Sequence, residues 1–190
     1  MSRSPIEKSG KAWKTLGRRT VLSRPPWYEI EEERVELPNG SVIDAYTAMR
    51  LRDYVTVVAL TPARDLLIER MYKHGPRDIV LDLPSGLIED GEAPLPAAQR
   101  ELLEETGHRS DKWTPLGTFV VNSNYGGGRM HAFLALDVER VREPNSGDLE
   151  EMELLQRPFT DALAGLRRGE FKLLSAAATI ALAAIRLADA

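Results

Sequence analysis

Three glutamates, Glu101, Glu104 and Glu105, stand at i, i+3 and i+4 within the run RELLEE. In a helix, turning about 100° per residue, their carboxylates share one face, while Leu95, Ala98, Leu102 and Thr106 form an adjoining apolar one. Gly107 follows in the position that helix C-termini favour, which predicts a helix over residues 95–106. Like charges at this spacing cost about a few tenths of a kcal/mol per pair, and Arg100, four residues before Glu104, can offset part of that. Three carboxylates converging beside a packed face suit a hard divalent cation, which prefers oxygen ligands. A bare acidic run would read as a solvated face. The residues around it decide otherwise.

Those residues follow a strict spacing. Gly86 is followed after five residues by Glu92, and seven residues later by Arg100-Glu101-Leu102, with Glu104-Glu105 and Gly107 each one residue further on. From average residue frequencies, a chance match in a chain of this length is on the order of one in a million. The pattern resembles the Nudix box, with His108 where the family usually has an aliphatic or aromatic residue. The resemblance implies an α/β fold, a Nudix-type α/β/α sandwich with a mixed sheet, here with additional N-terminal β-strands. It further implies a Mg²⁺ site, with Mn²⁺ as a substitute, formed by Glu101, Glu104, Glu105 and the Ser85 carbonyl. Glu104 and Glu105 are thereby catalytic candidates. Glu92 and Arg100 would orient the glutamates, and Gly86 and Gly107 would permit the bends on either side. A diphosphate needs its charge neutralised before water can attack, which is what such a metal supplies.

Outside the box, LDLPSGLIEDGE is similar to the E-L-P-A-G-x-I-E-x-G-E run of the ADP-ribose pyrophosphatase branch, departing at Asp82 and Ser85. IERMYKHG resembles the strand that brings a cation to the substrate, here Lys73, and GEFKLLSAAATIAL resembles the closing helix. The likeness makes Lys73, Asp82 and Arg129 substrate-binding candidates. In the acidic loop GDLEEME (147–153), Glu150 matches a metal ligand, and Asp148 or Glu151 could serve as general base. The implied reaction splits ADP-ribose or a related nucleoside diphosphate sugar into a nucleoside monophosphate and a sugar phosphate. Two alternatives stand beside it. Tyr125, in a segment lacking the branch's usual proline, matches dinucleoside polyphosphate hydrolases; a nucleotide-sensing module without catalysis is the other. Gly126–Gly128 could let backbone amides approach a phosphate or make a flexible turn. Trp27 or Tyr28 could stack on a base or belong to a core or interface. The resemblance also implies a homodimer in which N-terminal strands such as residues 28–37 contribute to the partner's pocket.

The elements that must position these residues are legible as alternating runs. Strands are expected at 19–23, at 28–37 and 41–49 around a Pro38-Asn39-Gly40 turn, at 54–60, 66–72, 79–83, 113–121, 130–138 and 153–157. Two helices, 160–168 and 172–188, finish the chain. Residues 1–12 read as a flexible tail, 13–50 as an N-terminal strand region and 51–190 as the hydrolase domain. The net charge of −4 and pI near 5.5 over 190 residues give no bulk reason to bind nucleic acid or an anionic membrane. With no cysteine, disulfides and thiolate chemistry are excluded, which fits a cytoplasmic location. His74, His108 and His131 lack metal-ligand spacing and read as structural. The apolar stretch at 173–185 is shorter than the roughly 20 residues a membrane span needs.

Overall fold

The computed structural model describes residues 12–145 and 151–189, so most of the expected tail at 1–12 lies outside it. The chain divides into two units, one from Met1–Arg52 with Val121–Gly128, the other from Asp53–Val120 with Arg129–Ala190.

The first unit is an antiparallel meander of β1 (Lys14–Arg24), β2 (Tyr28–Glu36) and β3 (Val42–Leu51). Glu29 and Glu31–Glu33 make β2 acidic, and the flanking strands answer with cations. Arg19 donates to Glu32 and Arg50 Nε donates to Glu31 at 2.9 Å, while in the opposite sense Arg34 Nε of β2 donates to Asp44 of β3 at 2.9 Å. Opposite charges across a ladder stabilise it modestly, by about 0.2–1 kcal/mol per pair. Among the described residues of this unit, Val35 is the one buried hydrophobic side chain. Ladder bonds and charge therefore hold these strands more than an apolar core does.

In the second unit, β4 (Tyr54–Leu60) is buried on both faces, as its near-continuous apolar run predicts. β5 (Asp65–Lys73) follows, then β6 (Asp78–Asp82), β7 (Ser85–Leu87) and α1 (Pro94–Thr106). Next come β8 (His108–Arg109), β9 (Lys112–Asn122), β10 (Gly126–Leu136), β11 (Glu139–Arg140), β12 (Met152–Pro158), α2 (Phe159–Arg167) and α3 (Leu174–Ala188). β4 runs parallel to β10, from Tyr54↔Met130 to Leu60↔Leu136. The other edge of β4 is shared: Leu60 pairs with Leu66 of β5, whereas Tyr54–Thr56 pair with Leu87–Ser85 of β7. β5 meanwhile pairs with β6 and β12. The sheet thus opens between β4 and β5, and Val57 N donates to Pro84 O at 2.9 Å where the chain enters the gap.

Strand alternation divides the core. Val55, Val57, Ala59 and Leu67 pack with Ala97, Ala98 and Leu102 of α1. Val58, Leu60, Leu66 and Ile68 pack with Ala162 of α2 and Ala176, Ile180 and Ala183 of α3. The result is the expected α/β/α sandwich with a mixed sheet. No helix among the described residues is long and apolar enough to cross a membrane.

Two expectations need correction. β10 begins at Gly126, not Met130, so the glycine run lies inside a strand. Gly126 pairs with Met49, and a Cβ on Gly128 would stand 2.1 Å from the Arg52 carbonyl oxygen. Close approach of two backbones, rather than a flexible turn, accounts for the glycine there. Leu95, placed on the apolar face of α1, is exposed, and Ala97 is buried instead. Gly128→Ala should cost about 1–3 kcal/mol of stability through this overpacking. Urea denaturation would register it as a lower midpoint with an unchanged m-value.

Candidate active site

The gap between β4 and β5 places Ser85 and Gly86 beside α1. Glu105, buried on the inner side of the helix, accepts the Ser85 amide at 2.8 Å. Gly86 faces Glu101 so closely that an added Cβ would stand 2.0 Å from Glu101 Oε1. The absent side chain is what admits the carboxylate. At the helix C-terminus Gly107 is left-handed, with φ 71°, and its amide donates to Leu103 O. A Cβ there would meet the Arg142 carbonyl oxygen at 2.1 Å, so both box glycines answer a steric need.

Arg100 ties the acidic face together. Nε and Nη2 donate to the two oxygens of Glu92 at 3.0 and 2.9 Å, a bidentate fork. Nη1 donates to Glu101 at 2.7 Å and to Glu104 at 3.2 Å, and Nη2 also reaches the Leu87 carbonyl at 3.0 Å. Glu92 in turn accepts the Glu89 amide at 3.0 Å. The fork from Arg100 chiefly holds the Glu92 carboxyl below its ordinary value, and the same bonds raise Arg100 further.

Burial raises the Asp82 carboxyl, partly opposed by its bond from the Leu83 amide and by the charge of Lys73. Tyr54 is raised by its own burial and by Asp82, a neighbour that no sequence pattern announced. Lys73 and Asp82 lie on paired strands, opposite Asp78 and Glu69 respectively. The Arg129 side chain is exposed, while its amide donates to Asp53 at 2.7 Å. Glu151, exposed, lines a cavity of about 540 Å³ with Arg70, Met71, Tyr72, Ile79, Met152 and Glu153. Asp148 and Glu150 lie outside the described residues.

The residues expected as ligands, Glu101, Glu104, Glu105 and the Ser85 carbonyl, offer only oxygen, the chemistry that Mg²⁺ and Mn²⁺ accept. Among the described residues no three acidic or histidine side chains are drawn close enough to hold an ion as they stand, and Arg100 supplies the counter-charge to Glu101 and Glu104. His108 is buried, Nδ1 lies 2.8 Å from Thr106 O, and burial lowers its pKa. In the other unit Trp27 and Tyr28 are exposed, which removes the core reading of these aromatics. Sequence reasoning missed the Ser85 amide and Leu87 carbonyl because backbone partners leave no mark in residue type.

The depressed Glu92 carboxyl has a consequence for acid stability. Its contribution is full above 4.5, the ordinary glutamate value, and is lost as pH falls through the lower native value. Thermal melts of Glu92→Gln between pH 7 and pH 3 should therefore show a shallower acid limb than those of the parent protein.

Comparisons with known proteins identify the family and the fold. The NUDIX domain matches residues 50–175, and the nucleoside diphosphate sugar hydrolase N-terminal domain matches 13–48. The ADP-ribose pyrophosphatase of Bacillus subtilis is 28% identical over 151 residues, covering 79% of this chain and 80% of its own. ADP compounds hydrolase NudE of Escherichia coli is 31% identical over 132 residues, 66% of this chain and 70% of its own. A crystal structure of an ADP compounds hydrolase superposes with a TM-score of 0.80 at 23% identity, covering 96% of this chain and 97% of that one. With the box residues in register on α1 and the family match spanning most of the sheet, the chain belongs to the Nudix hydrolases.

Proposed function

We propose that this protein hydrolyses the diphosphate bond of ADP-ribose or a related nucleoside diphosphate sugar, releasing a nucleoside monophosphate and a sugar phosphate. The observation that carries the reading is the carboxylate face of α1, gathered by Arg100 and opened to the loop by Gly86. Similarity to an ADP-ribose pyrophosphatase and to an ADP compounds hydrolase supports the choice of an ADP-linked substrate. Residues 51–190 would form the catalytic domain, in a cytoplasmic enzyme.

Nudix hydrolases generally use divalent cations, and Glu101, Glu104, Glu105 and the Ser85 carbonyl would hold Mg²⁺ here, with Glu150 completing the set. Bound there, the ion would set positive charge against the diphosphate and polarise its oxygens. The chain's own residues do the rest. Arg100 keeps like-charged glutamates in register, and Glu92 fixes the fork of Arg100. Lys73 and Arg129 would contact the substrate phosphates as cations, with Asp82 as a further substrate-binding residue. Glu151 or Asp148 would take the proton from the attacking water.

The exposed meander favours a homodimer. β1 is exposed along nearly all its length, and Trp13, Leu16, Val21 and Val42 present apolar surface that a second copy would cover.

With Mg²⁺ present, AMP should appear from ADP-ribose in a panel of nucleoside diphosphate derivatives. Cleavage of dinucleoside polyphosphates without any AMP from ADP-ribose would transfer the assignment to that class. Glu104→Gln should lower kcat by roughly 10²-fold or more with the fold intact by circular dichroism, the scale on which one lost charge-stabilising group is felt. Undiminished turnover in that variant would remove the metal-site argument. Light scattering at assay concentration should return the mass of two chains; one chain would refute the dimer.

A further inference from the structure

β4 starts immediately after Asp53, and this residue ties three segments together. Its backbone carbonyl accepts the Ile88 amide at 2.9 Å. One carboxylate oxygen accepts the Arg129 amide at 2.7 Å, and the other lies 3.5 Å from Nε2 of His131. The His131 side chain is 15% exposed, against 42% for Asp53. On its far side, His131 Nδ1 lies 3.1 Å from the Thr118 hydroxyl of β9. With the ring proton on Nε2, the imidazole faces the Asp53 carboxylate at ion-pair distance and accepts the Thr118 hydroxyl on Nδ1.

The line continues toward the reactive face. His131 stands opposite Val55 in the parallel ladder of β10 and β4, which fixes its backbone. Ile88 packs its side chain on the α1 core cluster, and the preceding residue, Leu87, gives its carbonyl to Arg100. Beyond Ile88 the chain leaves the sheet, and the next backbone bond, Glu92 N to Glu89 O, is local to the loop. The Ile88–Asp53 bond is therefore the final backbone tether between the sheet and the loop that presents Glu92 to Arg100.

We propose that His131 and Asp53 are positioning residues for hydrolysis, with Thr118 orienting the imidazole. They clamp the Leu87–Ile88 segment so that Arg100 holds Glu101 and Glu104 in place. The proposal rests on the hydrolase reading above, but the clamp itself can be read without substrate or metal. His131→Ala should speed hydrogen exchange of the Ile88 amide in metal-free protein about tenfold. The same variant should lower kcat by roughly tenfold, the low end for loss of a supporting partner, with KM unchanged within about twofold. His131→Gln, which keeps a donor and an acceptor, should recover most of both losses. Thr118→Val, which removes only the hydroxyl, should move both readouts in the same direction by less.

An unchanged Ile88 exchange rate in folded His131→Ala would overturn the clamp. So would an effect confined to KM, or a glutamine variant no better than alanine. If the parent protein cleaves no diphosphate while Ile88 exchange responds as stated, the clamp survives and the hydrolase reading fails.

Discussion

Four groups converge on the guanidinium of Arg100: the carboxylates of Glu92, Glu101 and Glu104, and the carbonyl of Leu87. Without that cation the helix would carry a self-repelling face next to a loop with few bonds of its own. The bidentate geometry explains why arginine stands here, since a lysine would supply charge without a fork. Because one arm grips the loop and another the helix, Leu87 and Glu92 are joined to Glu101 and Glu104 through one planar group, while Ser85 is held by Glu105 and the β4 ladder.

That group can act only because the sheet makes room for it. β4 and β5 pair at one end and part at the other, so the segment from Pro84 to Leu87 enters beside α1. The cores on the two faces carry unlike duties. The face packed by α2 and α3 is mainly aliphatic and aromatic, with Thr179 buried in α3, whereas the α1 face ends in the buried acid Glu105, bonded to the Ser85 amide. The carboxylates of α1 thus lie on one side of the strands and the α2–α3 packing on the other.

What could be read from residue order was what local periodicity controls. The helix from Pro94 to Thr106, its left-handed Gly107 and the doubly buried β4 all follow from spacing and turn chemistry. Arg100's pairing with Glu104 was readable because it lies within one helical turn; its grip on Leu87 was not, because a backbone acceptor has no residue type. Register across strands was equally hidden. The start of β10 at Gly126 depends on how near the Arg52 backbone comes, and the Asp53–His131–Thr118 line joins residues far apart in the chain. The exposure of Leu95 and Trp27 likewise reflects what stands opposite each side chain.

Gly86 gives this architecture a property that no single contact has. Its missing side chain and the Glu101 carboxylate compete for one volume, since a Cβ would fall within the carboxylate itself. The two positions therefore share a steric allowance, and what either tolerates depends on the other. A side chain at 86 would turn Glu101 away even though every carboxylate were still present. The box is in this sense a volume constraint as well as a list of acids, and its first glycine belongs to the chemistry by occupying nothing.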